Sequence, residues 1–410
     1  MSTTTTRSHW GLIIAASAML MLTMGARQTT GLFVAPIHLD TGVGIASISF
    51  ALAIGQFVWG AVQPVFGAIA DRHGPERVLV AGGLLLAGGL ALVPFLPTGN
   101  GLLLTLGLMT AAGAGAGSFS ILIGATAGRL PAEKRSFAAG LINAGGSLGQ
   151  FIFAPLLQLA IGVAGWTSAM FGLALTSLLT VPLARCFRRR PDAAPVAVAG
   201  AGATAATGIS LRQQLRIALA DRSYWLLHLG FFTCGVHIAF LVTHLPGEIA
   251  LCGLSPNVSA ASIALIGLFN IAGSLAAGKL GEYVRMKWIL TAMYASRTVL
   301  IALYLIAPPT ALTFYLFAAA LGFTWLATVP PTAGLVGKLF GPRYLGTLFG
   351  LTLLSHQIGG FFGAWLGGVA LERFGSYQWM WYADMALAAI AAVAHLPMRE
   401  AKLQPAPAAA

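Results

Sequence analysis

The sequence predicts an all-α membrane protein: twelve transmembrane helices in two six-helix, pseudo-symmetric bundles. Three observations predict it. Hydrophobic residue types make up 57% of the 410 residues and charged types only 8%, against roughly 25% charged in an ordinary soluble domain. Apolar runs of span length recur twelve times. The second six runs align with the first six when the chain is shifted by about 210 residues. So few charges cannot wet the surface of a soluble fold this large, which excludes a soluble enzyme and a disordered chain.

A helix needs about 20 mostly apolar residues to cross a bilayer. The first run, Trp10–Val34, is far longer than the roughly 7–15 residues of a signal-peptide core, so it reads as a retained first span. The spans are expected at 10–36, 45–70, 78–97, 101–130, 136–160, 166–187, 223–248, 259–281, 288–307, 310–338, 345–371 and 377–397. Backbone groups in lipid must bond within their own segment, so the spans are helices. The alternating ten-residue segments of a membrane barrel are absent.

The longest break, 188–222, begins Arg188-Arg189-Arg190-Pro191 and continues through small residues to Ser210. It reads as a flexible linker. It ends in a short amphipathic helix, Leu211–Leu219, that turns Arg212 and Arg216 toward lipid headgroups. The expected organisation is an N-terminal bundle over 1–187, a cytoplasmic linker over 188–222, a C-terminal bundle over 223–398 and a disordered cytoplasmic tail over 399–410. With both termini cytoplasmic, twenty of the 23 Lys and Arg residues fall in inner loops. Only Arg373 falls outside, and Arg27 and Arg297 lie within spans. The net charge of +12 is therefore a topology signal, and no nucleic-acid partner is expected. Cys186, Cys234 and Cys252 form neither a disulfide framework nor a CxxC site.

The repeat is visible in residues. The shift pairs Gly140 with Gly350, Leu141 with Leu351, Gly149 with Gly359, Phe151 with Phe361, Ala154 with Ala364 and Leu156 with Leu366. Six-plus-six duplication across a central loop implies two bundles facing each other over a midplane cavity.

The stretch Gly67-Ala-Ile-Ala-Asp71-Arg72-His-Gly74-Pro-Glu-Arg77 resembles the loop signature between spans two and three of the major facilitator superfamily. Lys134-Arg135 through Asn143, Gly145, Gly146 and Gly149 to Ala154-Pro155-Leu156 resembles the span-five motif of its monocarboxylate transporter and oxalate–formate antiporter branch. Gly25–Pro36 is similar to that branch's first span. The chain departs from the branch in two places. Span one lacks the aromatic Gly-Trp signature, and span eight carries Asn270 and Ser274 where relatives place an Arg for the substrate carboxylate. The resemblance implies that Asp71, Arg72 and Arg77 act as gate elements and that spans three, six, nine and twelve are peripheral.

Arg27 is the sharpest candidate for substrate binding. It stands about 6 Å beyond the centre of span one at 1.5 Å per residue. Unpaired in lipid it costs at least roughly 2.5–3.5 kcal/mol, so a wet cavity is expected, where its fork suits a carboxylate. Gln28 is adjacent. Span seven aligns Thr233, His237 and His244 on one face. Span eleven carries His356 and Gln357, and spans five and eight present Asn143 and Asn270. Arg297, in span nine, is a secondary candidate, with helix packing or a bond to a carbonyl the better reading. Asp384 is the nearest acidic residue to mid-span and lies in peripheral span twelve. Pro330-Pro331 is expected to kink span ten.

The expected function is a proton-coupled, alternating-access secondary transporter of small organic anions, monocarboxylate-like, monomeric and set in the cytoplasmic (inner) membrane. Mid-span ionisable groups near the proposed path are Arg and His, which disfavours a cationic substrate. The alternatives are a drug or metabolite exporter of the same fold and a non-transporting membrane receptor. No cofactor, metal site or catalytic residue is expected. Gly113-Ala-Gly115-Ala-Gly117 lacks the strand and GK[ST] of a nucleotide loop.

Overall fold

The structure, a computed structural model, describes residues 3–127, 129–130, 132–188, 209–281, 283–341 and 344–400. Most of the expected linker (189–208) and the end of the tail (401–410) lie outside the described residues.

Span one comprises α1 (Thr3–Gln28), a tight turn at Thr30–Phe33 and α2 (Val34–Thr41). At the joint the Thr29 hydroxyl donates back to the Gly25 carbonyl at 2.7 Å, a bond that competes with the helix ladder. Spans two and three are α3 (Ile45–His73) and α4 (Pro75–Leu92). Span four opens with α5 (Gly99–Leu102), where the Thr98 hydroxyl caps the helix by accepting from the Gly101 N–H at 3.1 Å. It passes through a π-helical stretch, Leu103–Thr110, into α6 (Ala111–Ala116), breaks, and resumes as α7 (Phe119–Ala127). Spans five and six share α8 (Ala132–Leu178), whose two parts join at Gly165, φ +79°, a left-handed conformation that favours glycine. The short α9 (Thr180–Ala184) completes span six.

The second half begins with α10 (Leu211–Leu219), which forms where the amphipathic pattern places it and is capped by the Ser210 hydroxyl. Span seven is α11 (Arg222–Leu251), capped by Asp221 accepting from the Ser223 N–H at 2.7 Å. Spans eight and nine are α12 (Pro256–Leu280) and α13 (Met286–Ile306). Span ten is divided into α14 (Ala311–Thr324) and α15 (Val329–Phe340). Spans eleven and twelve are α16 (Leu345–Phe374) and α17 (Gln378–His395). Nine apolar helical segments among the described residues are long enough to cross a membrane. One of them, Gly140–Phe187, runs 48 residues and supplies two spans, and α16 and α17 complete the twelve.

Span ten corrects one expectation. Pro330 and Pro331 do not kink a continuous helix. The helix is interrupted over 325–328, and the prolines sit in the first turn of α15. Proline lacks an N–H and clashes with the preceding turn, so it starts a helix more readily than it continues one. The break in span four falls at the matching place in the first half, which makes the duplication visible in backbone as well as sequence.

The two halves meet where α3 packs on α16 and α8 on α12. Small residues let the backbones touch. A Cβ at Gly267 would stand 2.7 Å from the Ser147 carbonyl oxygen and 2.9 Å from the Phe151 nitrogen. At the end away from the linker the contact is tight. Gly31 lies under the Val242 carbonyl, the Ala46 N–H donates to Glu372 Oε1 at 2.7 Å, and Phe50 meets Trp365 edge-on at 5.8 Å. Toward the linker end, Gly140, Gly278, Gly346 and Gly350 have nothing within 4 Å of the Cβ position. The halves close on each other at the far end and part toward the linker.

Candidate functional site

Arg27 is held between neutral partners. Its guanidinium donates to Gln56 Oε1 on α3 and lies over the Trp59 ring, 4.3 Å from the centroid, a contact that favours a cation. No carboxylate reaches ion-pairing distance of it among the described residues. Most of its donors are thus open to an anion. Gln56 stands at the seam between halves: its Cβ lies 3.5 Å from the Cβ position of Gly360 on α16. On the same seam Gln357 packs against Gly60. Its amide nitrogen lies 3.4 Å from His356 Nδ1, and its Oε1 is buried without a partner. Arg27, Gln56, Trp59 and Gln357 therefore lie along one stretch of the seam, and His356 joins it through Gln357 while its ring packs 5.1 Å from Phe231 in the second bundle.

The remaining predicted residues fall in three places. Gln28 is buried beside Arg27 in sequence, with an unpartnered Oε1, and Asn143 is half-buried. Asn270 is fully engaged. It donates to Ser147 Oγ across the halves at 2.8 Å and accepts from the Leu326 N–H at 2.9 Å. The second bond satisfies a donor that the break in span ten frees. Arg297 performs the reciprocal task, one nitrogen donating to the Thr324 and Trp325 carbonyls at 2.5 and 2.6 Å. The first half treats its own break likewise, with the Thr23 hydroxyl donating to the Gly117 carbonyl at 3.1 Å.

His237 turns away from the seam into the second bundle. Its Nδ1 lies 2.5 Å from Asp384 Oδ2, with the side chains 1% and 0% exposed. Arg297 is within electrostatic reach of Asp384 and of Cys234, and Cys234 in turn neighbours His356 and Thr328. Sequence reasoning placed Asp384 on a peripheral helix and missed this pair. The signal that finds it is the rarity of an intramembrane carboxylate together with a histidine inside another span of the same half.

Of the residues expected to act as gate elements, Arg72 and Arg77 are exposed at the linker end, and the Asp71 side chain lies outside the described residues. In the second bundle, Glu400 accepts from the Met286 and Lys287 N–H groups at 3.0 and 3.3 Å and from Lys338 Nζ at 2.7 Å. Burial pushes its carboxyl up, but the Lys338 hydrogen bond and charge and the two backbone donors outweigh it and hold the group below the usual carboxylate range. Among the described residues no cluster of three or more His, Cys, Asp or Glu is placed to hold a metal.

Two matched helical bundles that part at one membrane face and carry charged side chains at mid-span define a polytopic membrane transporter. The sequence profile of the Major Facilitator Superfamily matches residues 16–364, and the chain belongs to that superfamily. It is 29% identical over 376 residues to monocarboxylate transporter 13 of Bos taurus, covering 90% of this chain and 84% of that protein. It is 24% identical over 375 residues to the oxalate:formate antiporter of Oxalobacter formigenes, covering 90% and 86%. Among solved structures, a D-xylose-proton symporter superimposes with a TM-score of 0.73 at 13% identity, covering 95% of this chain and 98% of that one. At that identity the likeness speaks to the fold.

Proposed function

We propose that the protein is a secondary transporter of small organic anions of the monocarboxylate class, working by alternating access in the cytoplasmic membrane as a monomer. The bundles over 1–187 and 223–398 rock about the seam, with the linker and both termini cytoplasmic and the present arrangement open to that side. One observation carries the reading: Arg27 is a mid-span guanidinium beside the seam whose partners are a neutral amide and an aromatic face. A substrate carboxylate completes the charge that the protein leaves uncompensated. Gln28, Asn143, His356 and Gln357 shape the remainder of the site, and Asn270 gains access to it when span ten moves. Asp71, Arg72 and Arg77 lock the linker side when it closes. The relatives named monocarboxylate transporter and oxalate:formate antiporter support the anion class, and a proton gradient is the proposed driving force.

Counterflow in proteoliposomes tests this. Liposomes loaded with formate, oxalate, L-lactate or pyruvate exchange internal anion for external labelled anion in at least one case, and Arg27→Ala abolishes the exchange. Exchange of none of these anions, with Arg27→Ala and wild type responding equally to them in thermal shift, defeats the proposal. A drug exporter exchanges hydrophobic compounds instead, and a receptor exchanges nothing.

A further inference from the structure

We infer that His237 and Asp384, with Arg297, form the proton-binding site that couples transport to the proton gradient. The inference rests on the transporter reading and names the residues that carry the proton in it. All three side chains are 0–1% exposed and lie on three different spans. Charges so deep are costly unless their valences are filled. A purely structural cluster has them filled, but this one leaves four atoms open: Asp384 Oδ1, His237 Nε2, and Arg297 Nε and Nη1. With His237 neutral and its Nδ1–H donated to Asp384, Nε2 presents an unoccupied lone pair. A proton delivered there by hydronium forms the Nε2–H bond, breaks one hydronium O–H bond and releases water. The imidazolium shares the Asp384 carboxylate with Arg297.

The groups facing the pair come from every neighbouring span. They are Cys234 on α11 itself, Arg297 and Tyr294 on α13 and His356 on α16. The break in span ten contributes Trp325 and Thr328, neither of which titrates. Farther along α11 lie His244 with Tyr377, and Glu248 with Tyr304.

Two connections make the site a coupling device. Through Arg297 it holds the carbonyls of the span-ten break, and the Trp325 ring lies 5.9 Å from the His237 ring, edge-on. A proton on His237 offsets the Asp384 charge that acts on Arg297 across space, and so changes the field on the group that holds the hinge carbonyls. Through Cys234 the cluster reaches His356, next to Gln357 on the seam. The shift that aligns the halves sets His237 opposite Arg27, so duplicated positions serve the anion in one bundle and the proton in the other.

The first test needs no substrate. Intrinsic fluorescence of the purified full chain is titrated with pH, and Trp325→Phe identifies the contribution of that one indole. The Trp325 emission is expected to change in a single step that His237→Gln removes. Superimposable titrations of wild type and His237→Gln overturn the assignment. The second test uses whichever anion exchanges in counterflow. Under an inward gradient of one pH unit the wild type accumulates that anion about tenfold, as one proton per anion requires. Asp384→Asn is expected to exchange the anion yet accumulate none, and Asp384→Glu to recover part of the gradient response. Gradient-driven accumulation by Asp384→Asn equal to wild type overturns the proposal. If no anion exchanges, the transporter reading fails, and the fluorescence titration alone decides whether the proton site exists.

Discussion

Arg297 and Thr324 are 27 positions apart and face each other across a broken helix, the guanidinium nitrogen 2.5 Å from the carbonyl oxygen. The same nitrogen also holds the Trp325 carbonyl. The last carbonyls of α14 have no partner within their own helix, and in lipid they have no water. A side chain from a neighbouring span must supply the donor.

Replacing that donor is therefore costly. Arg297→Met removes both bonds and leaves Asp384 facing a neutral side chain. The expected destabilisation is roughly 3–5 kcal/mol, the range for breaking a buried charge network from one side. Arg297→Lys keeps a cation but replaces the rigid planar head, which fixes the donating nitrogen, with an ammonium on a flexible stem, and should fall between. Thermal unfolding of the three proteins in one detergent gives the order. An Arg297→Met protein as stable as wild type would show that the break is held by something else.

Arg27 predicts the opposite pairing of effects. Its partners are a neutral amide and an indole, so removing it leaves no charge stranded. Arg27→Ala should unfold at or slightly above the wild-type temperature while losing exchange of the anion, the signature of a residue kept for function at the expense of stability. A variant that loses both in proportion would make Arg27 a structural residue.

What the chain disclosed in advance divides along physical lines. Span number followed from hydropathy, because lipid forces each crossing to be long, apolar and helical. The linker-side helix Leu211–Leu219 was legible too, since Arg212 and Arg216 repeat at helical spacing; its Ser210 cap emerged only in the structure. Partners across spans were hidden. Gln56 and Trp59 meet Arg27 only because α1 and α3 pack at that height, and nothing local to either segment says so. Asp384 looked peripheral, since the position of span twelve in the bundle suggests support. Its pairing with His237 depends on which face of α17 turns inward, and apolar residues such as Trp379, Met380, Trp381, Tyr382 and Met385 stand on every side of it in sequence. Asn270 has a spacing with Ser274 that fits a stripe that lines a cavity and one that glues helices equally well. Its commitment to Leu326 arises from a break 56 residues away.

Gly31 should control the far face. Val242 and Thr243 bring their carbonyls against it, and a Cβ there would stand 3.0 Å from the Thr243 oxygen and nearer still to Val242. Both contacts are to backbone, which cannot swing aside as a side chain does. Gly31→Val should prop the far ends apart and shift the population toward the state closed at the linker side. In a cysteine-free background, Ala46→Cys with Glu372→Cys reports closure through a short bifunctional thiol cross-linker, which spans the gap left by the Glu372 side chain that reaches the Ala46 N–H in the closed arrangement. Cross-linking yield should be high alone and fall several-fold with Gly31→Val. An unchanged yield would mean that the helices slide past the added methyl groups.

Glu400 supplies a pH prediction at the linker side. Its carboxylate caps α13 through two backbone N–H groups and pairs with Lys338, with only 6% of its side chain exposed. Its carboxyl is held below the usual range, while in the unfolded chain it titrates near about 4.3. A depressed folded value means the unfolded state binds the proton first as pH falls. The contribution of Glu400 is therefore fully present above the unfolded value and is lost as pH drops through the folded one. Glu400→Gln keeps the shape but weakens the ionic bonds. Its unfolding temperature should lie below wild type by a constant gap from neutral pH down to about pH 5, and the gap should close in more acidic solution. A gap that persists unchanged below about pH 3 would assign the effect to packing of the α13 end, with no part played by the carboxylate charge.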